Sequence, residues 1–411
     1  MDRARLKILV LTPFPPSPPT YGAQRRVHGL LTALAKRHDI SCISLVPAVH
    51  EIEHARRAML EYCKDVVLVP VAVPDASMKR LLQLRSIFSP RSFVRGLNDL
   101  PVVRNAVGNM LARHQFDIVN VEFPFFDVAH LRGLARGQPQ PRYILDEHNI
   151  EFDVVRQQGE SERGMARAFY NKANLRKVRR EEIAAWQLYD ATAFCSDADA
   201  ARASKIAPTL RSAVVPNAVD LDYFRPRPDY LPPDGRTLIF FGALNYFPNV
   251  DGLQYFMREV WPLITGADGN VRLKIVGPKP PPEIVALRSD RVEVTGMVED
   301  LRPHLSAAAL SIVPLRIGGG TRLKVLEAMA MARPIVSTTL GAEGIAAEPG
   351  KHLQIADDPK VFAAAVGTLL HNSAAAERLG QSGRALVEAR YSWDAAALAM
   401  EGLYREALSA R

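Results

Sequence analysis

The sequence predicts an α/β protein built from two Rossmann-like domains, whose parallel sheets face one another across a cleft. Short apolar or β-branched runs alternate with longer helical stretches along the whole chain, which is typical of parallel sheets with crossover helices. Most of these runs are continuously apolar, as in strands that are covered on both faces. A chain of 411 residues also exceeds a single ordinary hydrophobic core, so we expect two domains.

The apolar runs give the predicted strands directly. In the first half of the chain they are Lys7–Thr12, Ile40–Val46, Val66–Pro70, Asp117–Val121, Tyr143–Leu145, Ala191–Ser196 and Val214–Pro216. In the second half they are Thr237–Phe241, Arg272–Val276, Val292–Thr295, Leu310–Pro314, Ile335–Ser337 and His352–Ile355. Ligands of open parallel sheets bind at the carboxyl ends of the strands, so the segments that follow these runs are the first places to look for a site.

A proline-rich stretch separates the two halves. Residues 225–235 read RPRPDYLPPDG, and proline at this density fits neither a helix interior nor a central strand. We therefore predict an N-terminal domain over residues 1–224, a linker over 225–235 and a C-terminal domain over 236–391. Residues 392–411 are predicted to form a helix that packs back toward the first domain.

The charge balance indicates an anionic partner. The chain carries 52 Lys and Arg residues against 44 Asp and Glu residues, a formal net charge of +8. Such an excess favours phosphates, nucleic acid or an acidic lipid surface. No recognised nucleic-acid-binding motif is present, so we expect no nucleic-acid partner.

The cysteines and the apolar runs indicate the cellular compartment in which the protein is expected. Cys42, Cys63 and Cys195 are far apart and lack metal-ligand spacing, so we expect neither a disulfide framework nor a metal site. The N-terminal apolar run Ile8–Leu11 is too short for a signal-peptide core, and no stretch of about 18 apolar residues occurs. We therefore expect a cytoplasmic protein.

The strongest motif follows the predicted strand Leu310–Pro314. Three glycines, at positions 318–320, precede a helix predicted from near Thr321 to about Arg333. Glycines let the backbone approach a ligand, and a helix start offers free N–H groups to a phosphate. Arg322 and Lys324 add positive charge there. Glu327, about two helical turns beyond the glycines, can accept hydrogen bonds from sugar hydroxyls.

At these residues the chain resembles glycosyltransferase family 4, the retaining GT-B sugar transferases also described as glycosyl transferases group 1. The resemblance covers nearly the whole chain and is most specific in the second domain. Its segments are Gly318–Met329, Pro334–Thr338, Gly341–Ile345, Val215–Asp220 with Phe224, Phe241–Asn245 with Pro248 and Asn249, Ile275–Pro278, and Thr295–Val298.

The resemblance implies a GT-B fold and a nucleotide-sugar donor, with no metal and no cofactor. The donor-binding residues that it implies, together with those chosen from the motifs themselves, are Gly22, Asn217, Gly242, Gly277, Val298, Gly319, Gly320, Thr321, Arg322, Lys324 and Glu327. Glu327 is also a predicted catalytic residue.

Two departures from the family pattern change the assignment. The first glutamate of the family's Glu-x7-Glu pair falls on Gly319, so backbone N–H groups of Gly320 and Thr321 are predicted to hold the sugar instead. The family's lysine after the first glycine of the second domain is replaced in this region by Asn249. The diphosphate is therefore predicted to rely on Arg322 and Lys324.

In the first domain, polar residues cluster after the strand Tyr143–Leu145. His148 is the candidate catalytic residue there, contacting the sugar or the acceptor, and the alternative is a loop histidine satisfied by a nearby carboxylate. Glu122, just past Asp117–Val121, is a further candidate. Gly22 lies at the start of a helix that follows the first strand. No residue is assigned as a nucleophile.

One basic segment suggests contact with a membrane. Residues 79–95 contain Lys79, Arg80, Arg85, Arg91 and Arg95 with interleaved apolar residues and no acidic residue. This pattern suits docking on an anionic lipid surface or reaching a lipid-linked acceptor. The alternative is that the apolar residues belong to the core of the first domain.

The combined prediction is a glycosyltransferase of the hexosyltransferase type, peripheral on the inner face of the membrane. It would move a sugar from a nucleoside diphosphate to a polysaccharide, lipopolysaccharide or lipid-linked saccharide, with retention at the anomeric carbon. Two alternatives stay open: a GT-B protein that binds sugar nucleotides without transferring them, and a sugar-nucleotide epimerase. A nicotinamide dehydrogenase is disfavoured, because no Gly-x-Gly-x-x-Gly follows the first strand.

Overall fold

The computed structural model describes residues 4–47, 52–135, 139–161, 165–318 and 322–410. The chain divides into two compact units: Met1–Pro216 together with Asp394–Arg411, and Asn217–Trp393. Residues 225–235, which we predicted as the linker, group with the second unit. The boundary thus falls earlier in the chain than we placed it.

The first unit contains a sheet of seven parallel strands in the order β3-β2-β1-β4-β5-β6-β7. Its strands are β1 (Lys7–Thr12), β2 (Asp39–Pro47), β3 (Asp65–Val71), β4 (Ile118–Glu122), β5 (Arg142–Glu147), β6 (Ala191–Phe194) and β7 (Ser212–Val214). Every residue of β4 is buried, as the continuous apolar pattern predicts. The predicted strands are confirmed, although β7 ends at Val214, where we predicted it to begin.

Helices cover the strands of this sheet. They are α1 (Gly22–Ala35), α2 (Ile52–Leu60), α3 (Ala76–Phe88), α4 (Phe93–Asn98), α5 (Pro101–Arg113), α6 (Val128–Arg132), α7 (Glu151–Ser161), α8 (Met165–Leu188) and α9 (Asp197–Ile206). Local signals set several of their ends: Ser196 caps α9 by accepting from the backbone N–H of Asp199, and Pro101 starts α5.

The second unit contains a sheet of six parallel strands in the order β10-β9-β8-β11-β12-β13. Its strands are β8 (Thr237–Phe241), β9 (Arg272–Val276), β10 (Val292–Gly296), β11 (Leu310–Val313), β12 (Ile335–Ser337) and β13 (Gln354–Ile355). The two parallel sheets, each covered by helices, are the two Rossmann-like domains that the sequence predicts.

The helices of the second unit are α10 (Phe247–Tyr255), α11 (Trp261–Ala267), α12 (Pro282–Val285), α13 (Arg302–Ala307), α14 (Leu323–Ala330), α15 (Pro359–His371) and α16 (Ser373–Arg390). One π-helical turn (Phe256–Val260) joins α10 to α11. The sequence of α15 explains why it is a helix. Asp358 caps its first turn, and Phe362, Val366 and Leu369 form one buried stripe.

The last helix returns to the first unit. It is α17 (Trp393–Ser409), and its residues from Asp394 onward group with the first unit. Lys36 on α1 pairs with Asp394, with Nζ 3.0 Å from Oδ1. Among the residues that the structure describes, no helix combines the length and the apolar character needed to cross a bilayer.

Candidate functional site

The strand order places a switch point in each sheet. In the first unit the chain runs outward from β1 on one side and from β4 on the other, and in the second unit the same holds for β8 and β11. Ligands of open parallel sheets bind beyond the carboxyl ends of the strands at such a point. The segments that follow these four strands and their neighbours in each sheet carry the residues described below.

Two glycines follow β8 and β9 in the second unit, and both are required by close packing. A Cβ at Gly277 would lie only 1.8 Å from the carbonyl oxygen of Gly242, so no side chain fits there. Gly242 itself has a φ of 140°, which a residue with a side chain rarely adopts. At these two positions no side chain covers the backbone beyond the strands. A ligand could therefore approach the main chain directly.

The start of α14 combines backbone donors with a positive side chain. Arg322 is the N-cap residue and its side chain is mostly buried, at 8% exposed. Gly318 packs on its guanidinium, because a Cβ there would lie 3.0 Å from Nη2. The first amides of a helix lack partners within the helix and its dipole favours anions, so this helix start can hold a phosphate. The predicted site residues Gly319, Gly320 and Thr321 lie outside the described residues.

Helix α14 ends earlier than we predicted. It stops at Ala330 rather than near Arg333. The reason is that Ala332 adopts a left-handed backbone, with a φ of 53°, and the N–H of Arg333 donates back to the carbonyl of Ala328. This short helix keeps the predicted cations and the predicted carboxylate within its N-cap and first two turns.

Lys324 lies against the loop that follows β8. Its Nζ donates to Oδ1 of Asn249 at 2.7 Å and lies 4.2 Å from the centre of the Phe240 ring. Burial, together with the neighbouring Arg322, lowers the pKa of Lys324 to about 7. An ammonium in this setting gains from an incoming phosphate, because the anion favours its charged form. Asn249, which replaces the family's lysine, therefore serves as the contact for a lysine from α14.

The third predicted group on α14 is Glu327, one helical turn after Lys324. Its side chain is buried. Of the other predicted donor-binding residues, Asn217 is also buried, and Val298 packs against the core of the second unit. The structure thus groups Gly242, Lys324 and Arg322 at one end of the sheet, with Glu327 on the same helix.

The carboxyl ends of β11, β12 and β13 enclose a cavity of about 410 Å³ in the second unit. Its lining residues are Leu315, Arg316, Thr338, Thr339, Leu340, Glu343 and Asp357. The Thr338 hydroxyl donates to the carbonyl of Leu315 and accepts from the N–H of Gly341, which ties the loops after β11 and β12 together. This part of the sheet edge is therefore concave and fixed by hydrogen bonds.

In the first unit, an arginine on α1 neutralises a buried carboxylate at the end of β5. Arg26 donates to both oxygens of Asp146, from Nε at 3.1 Å and from Nη2 at 2.6 Å, and from Nη1 to the carbonyl of Val215. Both side chains are buried. Arg26 is thereby committed to the interior of the first unit, so Arg322 and Lys324 are the better candidates for a diphosphate.

Glu122 and His148 form the second buried pair of this unit. Oε2 of Glu122, at the end of β4, lies 2.7 Å from Nε2 of His148, which follows β5. Burial raises the pKa of Glu122 to about 7 and lowers the pKa of His148 to about 3. The histidine is therefore neutral at physiological pH. Our alternative, a histidine satisfied by a nearby carboxylate, describes its Nε2 contact.

A series of aromatic rings extends from His148 at the carboxyl edge of the sheet. Phe123 follows Glu122 with a left-handed backbone, at a φ of 67°, and its ring centroid lies 4.0 Å from that of His148. Strained backbone of this kind clusters at functional sites. Phe125 stacks on Phe123 at 5.1 Å, Phe14 contacts Phe123 at 5.8 Å, and Tyr21 contacts Phe14 at 5.4 Å. We call these four rings the aromatic array.

Glu122, Asp146 and His148 also lie close enough to one another to be considered as metal ligands. Their oxygens and nitrogen are already engaged, however. Asp146 accepts twice from Arg26, while Glu122 accepts from Asn120 and contacts His148. A guanidinium beside the carboxylates supplies the positive charge that a metal would bring. Our expectation that no metal takes part stays a prediction.

Several residues and contacts of the site were not predicted from the sequence. Asn120 interrupts the apolar strand β4 two residues before Glu122, so both side chains lie on the same face of the sheet. That spacing of two polar groups in a buried strand is a signal that could have revealed Asn120. The partners of Lys324 and the pairing of Arg26 with Asp146 depend on contacts between distant segments and left no local pattern.

Comparison with known families and curated proteins gives partial matches. Residues 235–372 match the family model described as Glycosyl transferases group 1. The D-inositol 3-phosphate glycosyltransferase of Acidothermus cellulolyticus is 28% identical over 223 residues, which are 49% of this chain and 49% of that protein. An uncharacterized 44.6 kDa protein in the cps region of Klebsiella pneumoniae is 27% identical over 136 residues, 31% of this chain and 35% of that protein. The chain thus spans half or less of the length of these curated relatives.

Solved structures match over the whole chain. A sucrose-phosphate synthase from Thermosynechococcus elongatus superposes with a TM-score of 0.71 at 19% identity, covering 98% of this chain and 100% of that one. Anabaena HepE in complex with UDP and glucose gives a TM-score of 0.67 at 14% identity, with 99% and 100% covered. WaaG, a glycosyltransferase involved in lipopolysaccharide biosynthesis, gives 0.62 at 14% identity, with 98% and 100% covered. At these identities the likeness establishes the fold.

Proposed function

We propose that this chain, which has the GT-B fold and whose residues 235–372 match the glycosyl transferases group 1 family, moves a sugar from a nucleoside diphosphate to a saccharide acceptor with retention. The observation that carries the proposal is the grouping of Lys324, Arg322 and the bare backbone of Gly242 beyond the switch point of the second sheet. Two cations beside a helix start suit a diphosphate.

The donor side of the proposal rests on α14. In it, the diphosphate lies between the start of α14 and the Gly242 loop, where Lys324 and Arg322 neutralise its charge. Glu327 accepts hydrogen bonds from hydroxyl groups of the donor. Backbone N–H groups of Gly320 and Thr321 replace the missing first glutamate of the family pair. UDP and UDP-glucose, bound by Anabaena HepE, are the first donors to try.

The acceptor side of the proposal rests on the first unit. His148 contacts the transferred sugar or the acceptor, and the aromatic array offers flat apolar faces to the C–H faces of a saccharide. Aromatic side chains give large contact areas, and tyrosine keeps a polar end for hydroxyl groups. A polysaccharide, a lipopolysaccharide or a lipid-linked saccharide would each present such a ring.

A panel of nucleotide sugars tests the proposal. We expect one donor to raise the unfolding temperature and to give measurable heat in calorimetry, and we expect its sugar to appear on an added acceptor extract. Failure of every nucleotide sugar and every free nucleoside diphosphate to bind would contradict the proposal. Binding without transfer would favour the binding-protein alternative, and conversion of the donor without an acceptor would favour an epimerase.

We further propose that the reaction takes place in the cytoplasm at an anionic membrane, with α3 as the docking helix. Leu81, Leu84 and Phe88 are 43%, 60% and 91% exposed. Their spacing puts them on one face of the helix. Arg80 and Arg85 on the same helix are exposed cations. Exposed apolar side chains beside cations are the pattern of a helix that lies in the lipid headgroup region.

The docking surface is shorter than the basic segment 79–95. Arg91 pairs with Asp99 at 3.8 Å and Arg95 pairs with Asp127 at 3.0 Å, so acidic residues outside the segment offset these two cations. The surface therefore consists of α3, and its apolar residues of 43% exposure or more do not belong to the core.

Docking predicts salt-sensitive binding to vesicles that contain phosphatidylglycerol. Replacing Arg80 and Arg85 with glutamine should weaken this binding about 30-fold at low salt, because each cation near an anionic leaflet contributes about 1 kcal/mol. Replacing Phe88 with serine should weaken it at all salt concentrations. Co-sedimentation measures both effects. The matched control replaces Arg56 and Arg57, two exposed cations of α2, with glutamine. A wild-type protein that stays in the supernatant at low salt, or equal losses in the control, would refute docking through α3.

A further inference from the structure

A chain of hydrogen bonds runs through the interior of the first unit, from the last helix to His148. The hydroxyl of Tyr404 on α17 lies 3.1 Å from Oδ1 of Asn120. Nδ2 of Asn120 lies 2.8 Å from Oε1 of Glu122, whose Oε2 lies 2.7 Å from Nε2 of His148. All four side chains are buried. The connection joins residues that are 284 positions apart in the chain.

The chemistry of these groups fixes the direction of each bond. Oδ1 of Asn120 can only accept, so the Tyr404 hydroxyl donates to it. The amide nitrogen of Asn120 then faces Glu122 and donates to Oε1. Above the Glu122 pKa of about 7, Oε2 of the ionised carboxylate accepts from Nε2–H of His148. This bond places the imidazole proton on Nε2 and leaves Nδ1 with the lone pair.

Among the described residues, Glu122 is the carboxylate that lies within hydrogen-bond distance of the His148 ring, at 2.7 Å from Nε2. Both oxygens of Asp146 accept from Arg26, at 2.6 and 3.1 Å. Glu122 is therefore the carboxylate that orients the ring. The orientation of the Glu122 carboxylate depends on Asn120, whose Nδ2 donates to Oε1. A rotation of the Asn120 amide would instead turn Oδ1 toward the carboxylate. The bond from the Tyr404 hydroxyl to Oδ1 of Asn120 favours the amide orientation in which Nδ2 faces Glu122.

We propose that Tyr404 is a positioning residue, whose hydroxyl acts through Asn120 and Glu122 to fix the ring orientation and the tautomer of His148. The inference rests on the proposed function, in which His148 contacts the transferred sugar or the acceptor. It assigns a role in transfer to a helix that lies last in the chain and carries no residue of the sequence motifs. Tyr404 itself touches neither donor nor acceptor in this proposal.

The test compares Tyr404→Phe with a matched control, Tyr143→Phe. Tyr143 is buried in the same unit, and its hydroxyl donates to the carbonyl of Leu131 at the same distance, 3.1 Å. We expect Tyr404→Phe to lower kcat about fivefold, the effect of one neutral hydrogen bond, with the donor KM unchanged. Nitrogen NMR of the His148 ring, assigned with His148→Gln, should show a change of tautomer in Tyr404→Phe alone.

A second variant keeps the inference testable if Tyr404→Phe is poorly folded. Asn120→Ala removes the middle of the chain, and Tyr404→Phe should add nothing to its effect on kcat. Additive effects, or an unchanged kcat with an unchanged ring spectrum in Tyr404→Phe, would overturn the inference. The NMR measurement needs no substrate, so a wild-type protein without transferase activity would refute the proposed function while the ring spectra still decide the role of Tyr404.

Discussion

Replacing Glu327 with alanine is expected to lower kcat/KM for sugar transfer by about 10- to 100-fold, the range for one hydrogen bond to a charged group. The carboxylate is buried on α14, one turn after Lys324, and we propose that it holds hydroxyl groups of the donor. The unfolding temperature and the circular dichroism of the variant should stay close to those of the wild type. Initial rates with the donor found in the panel give the measurement.

The glutamine variant of Glu327 distinguishes the effect of the negative charge on transfer activity from the effect of the side-chain shape. It keeps the volume and the acceptor oxygen, and we expect an activity between those of the alanine variant and the wild type. Both variants should still bind the free nucleoside diphosphate if Lys324 and Arg322 hold the phosphates. A folded alanine variant with the wild-type transfer rate would show that Glu327 plays no part in donor recognition.

Replacing both Arg322 and Lys324 with alanine is expected to abolish measurable binding of a free nucleoside diphosphate. Each lost charge-assisted contact costs about 1.5–3 kcal/mol, so the two together contribute a factor of about 150 or more. Titration calorimetry at constant salt measures the loss. Arg316→Ala is the matched control, because this exposed arginine follows β11 and already pairs with Asp251 at 2.7 Å. Equal losses in the double variant and in Arg316→Ala would contradict the assignment.

The pH dependence of nucleoside diphosphate binding identifies the contribution of Lys324 to the affinity. Its pKa is lowered to about 7 in the free protein, so the fraction of charged lysine falls as the pH rises through 7. A bound diphosphate favours the charged form, and the affinity should therefore be highest below pH 7 and decrease above it. Ionisation of the terminal phosphate acts in the opposite direction. Lys324→Arg should remove the decrease, since arginine stays charged over this range.

The sequence predicted the central strands well because strands such as β4 and β11 are buried along their whole length. In the run Lys7–Thr12 the central residues are apolar and every residue after Lys7 is buried, as expected for a strand inside a parallel sheet. The end of α14 was less predictable. Arg333 and Pro334 suggested a later end, whereas the left-handed backbone at Ala332 follows from packing, since Gly380 leaves only enough room for the Ala332 carbonyl.

The candidate site was predictable in its residues and less so in its contacts. Glycines, cations and a carboxylate stood out in the sequence because they cluster after one strand. The contact of Lys324 with Asn249 joins segments 75 positions apart, and no local pattern records it. The same holds for Arg26 and Asp146, which are 120 positions apart and look like an ordinary helix residue and an ordinary loop residue.

Helix α17 belongs to the first unit but follows the second unit in the sequence. During synthesis it is therefore made after the second unit. The seven-stranded sheet is complete once β7 has been made, but the helix that carries Tyr404 follows only after Asn217–Trp393 has been synthesised. At about 5–20 residues per second this interval lasts roughly 10–35 s. During it, Oδ1 of Asn120 lacks its native partner and the surface beneath α17 is open to water. The first unit therefore lacks one of its helices until the second unit has been synthesised.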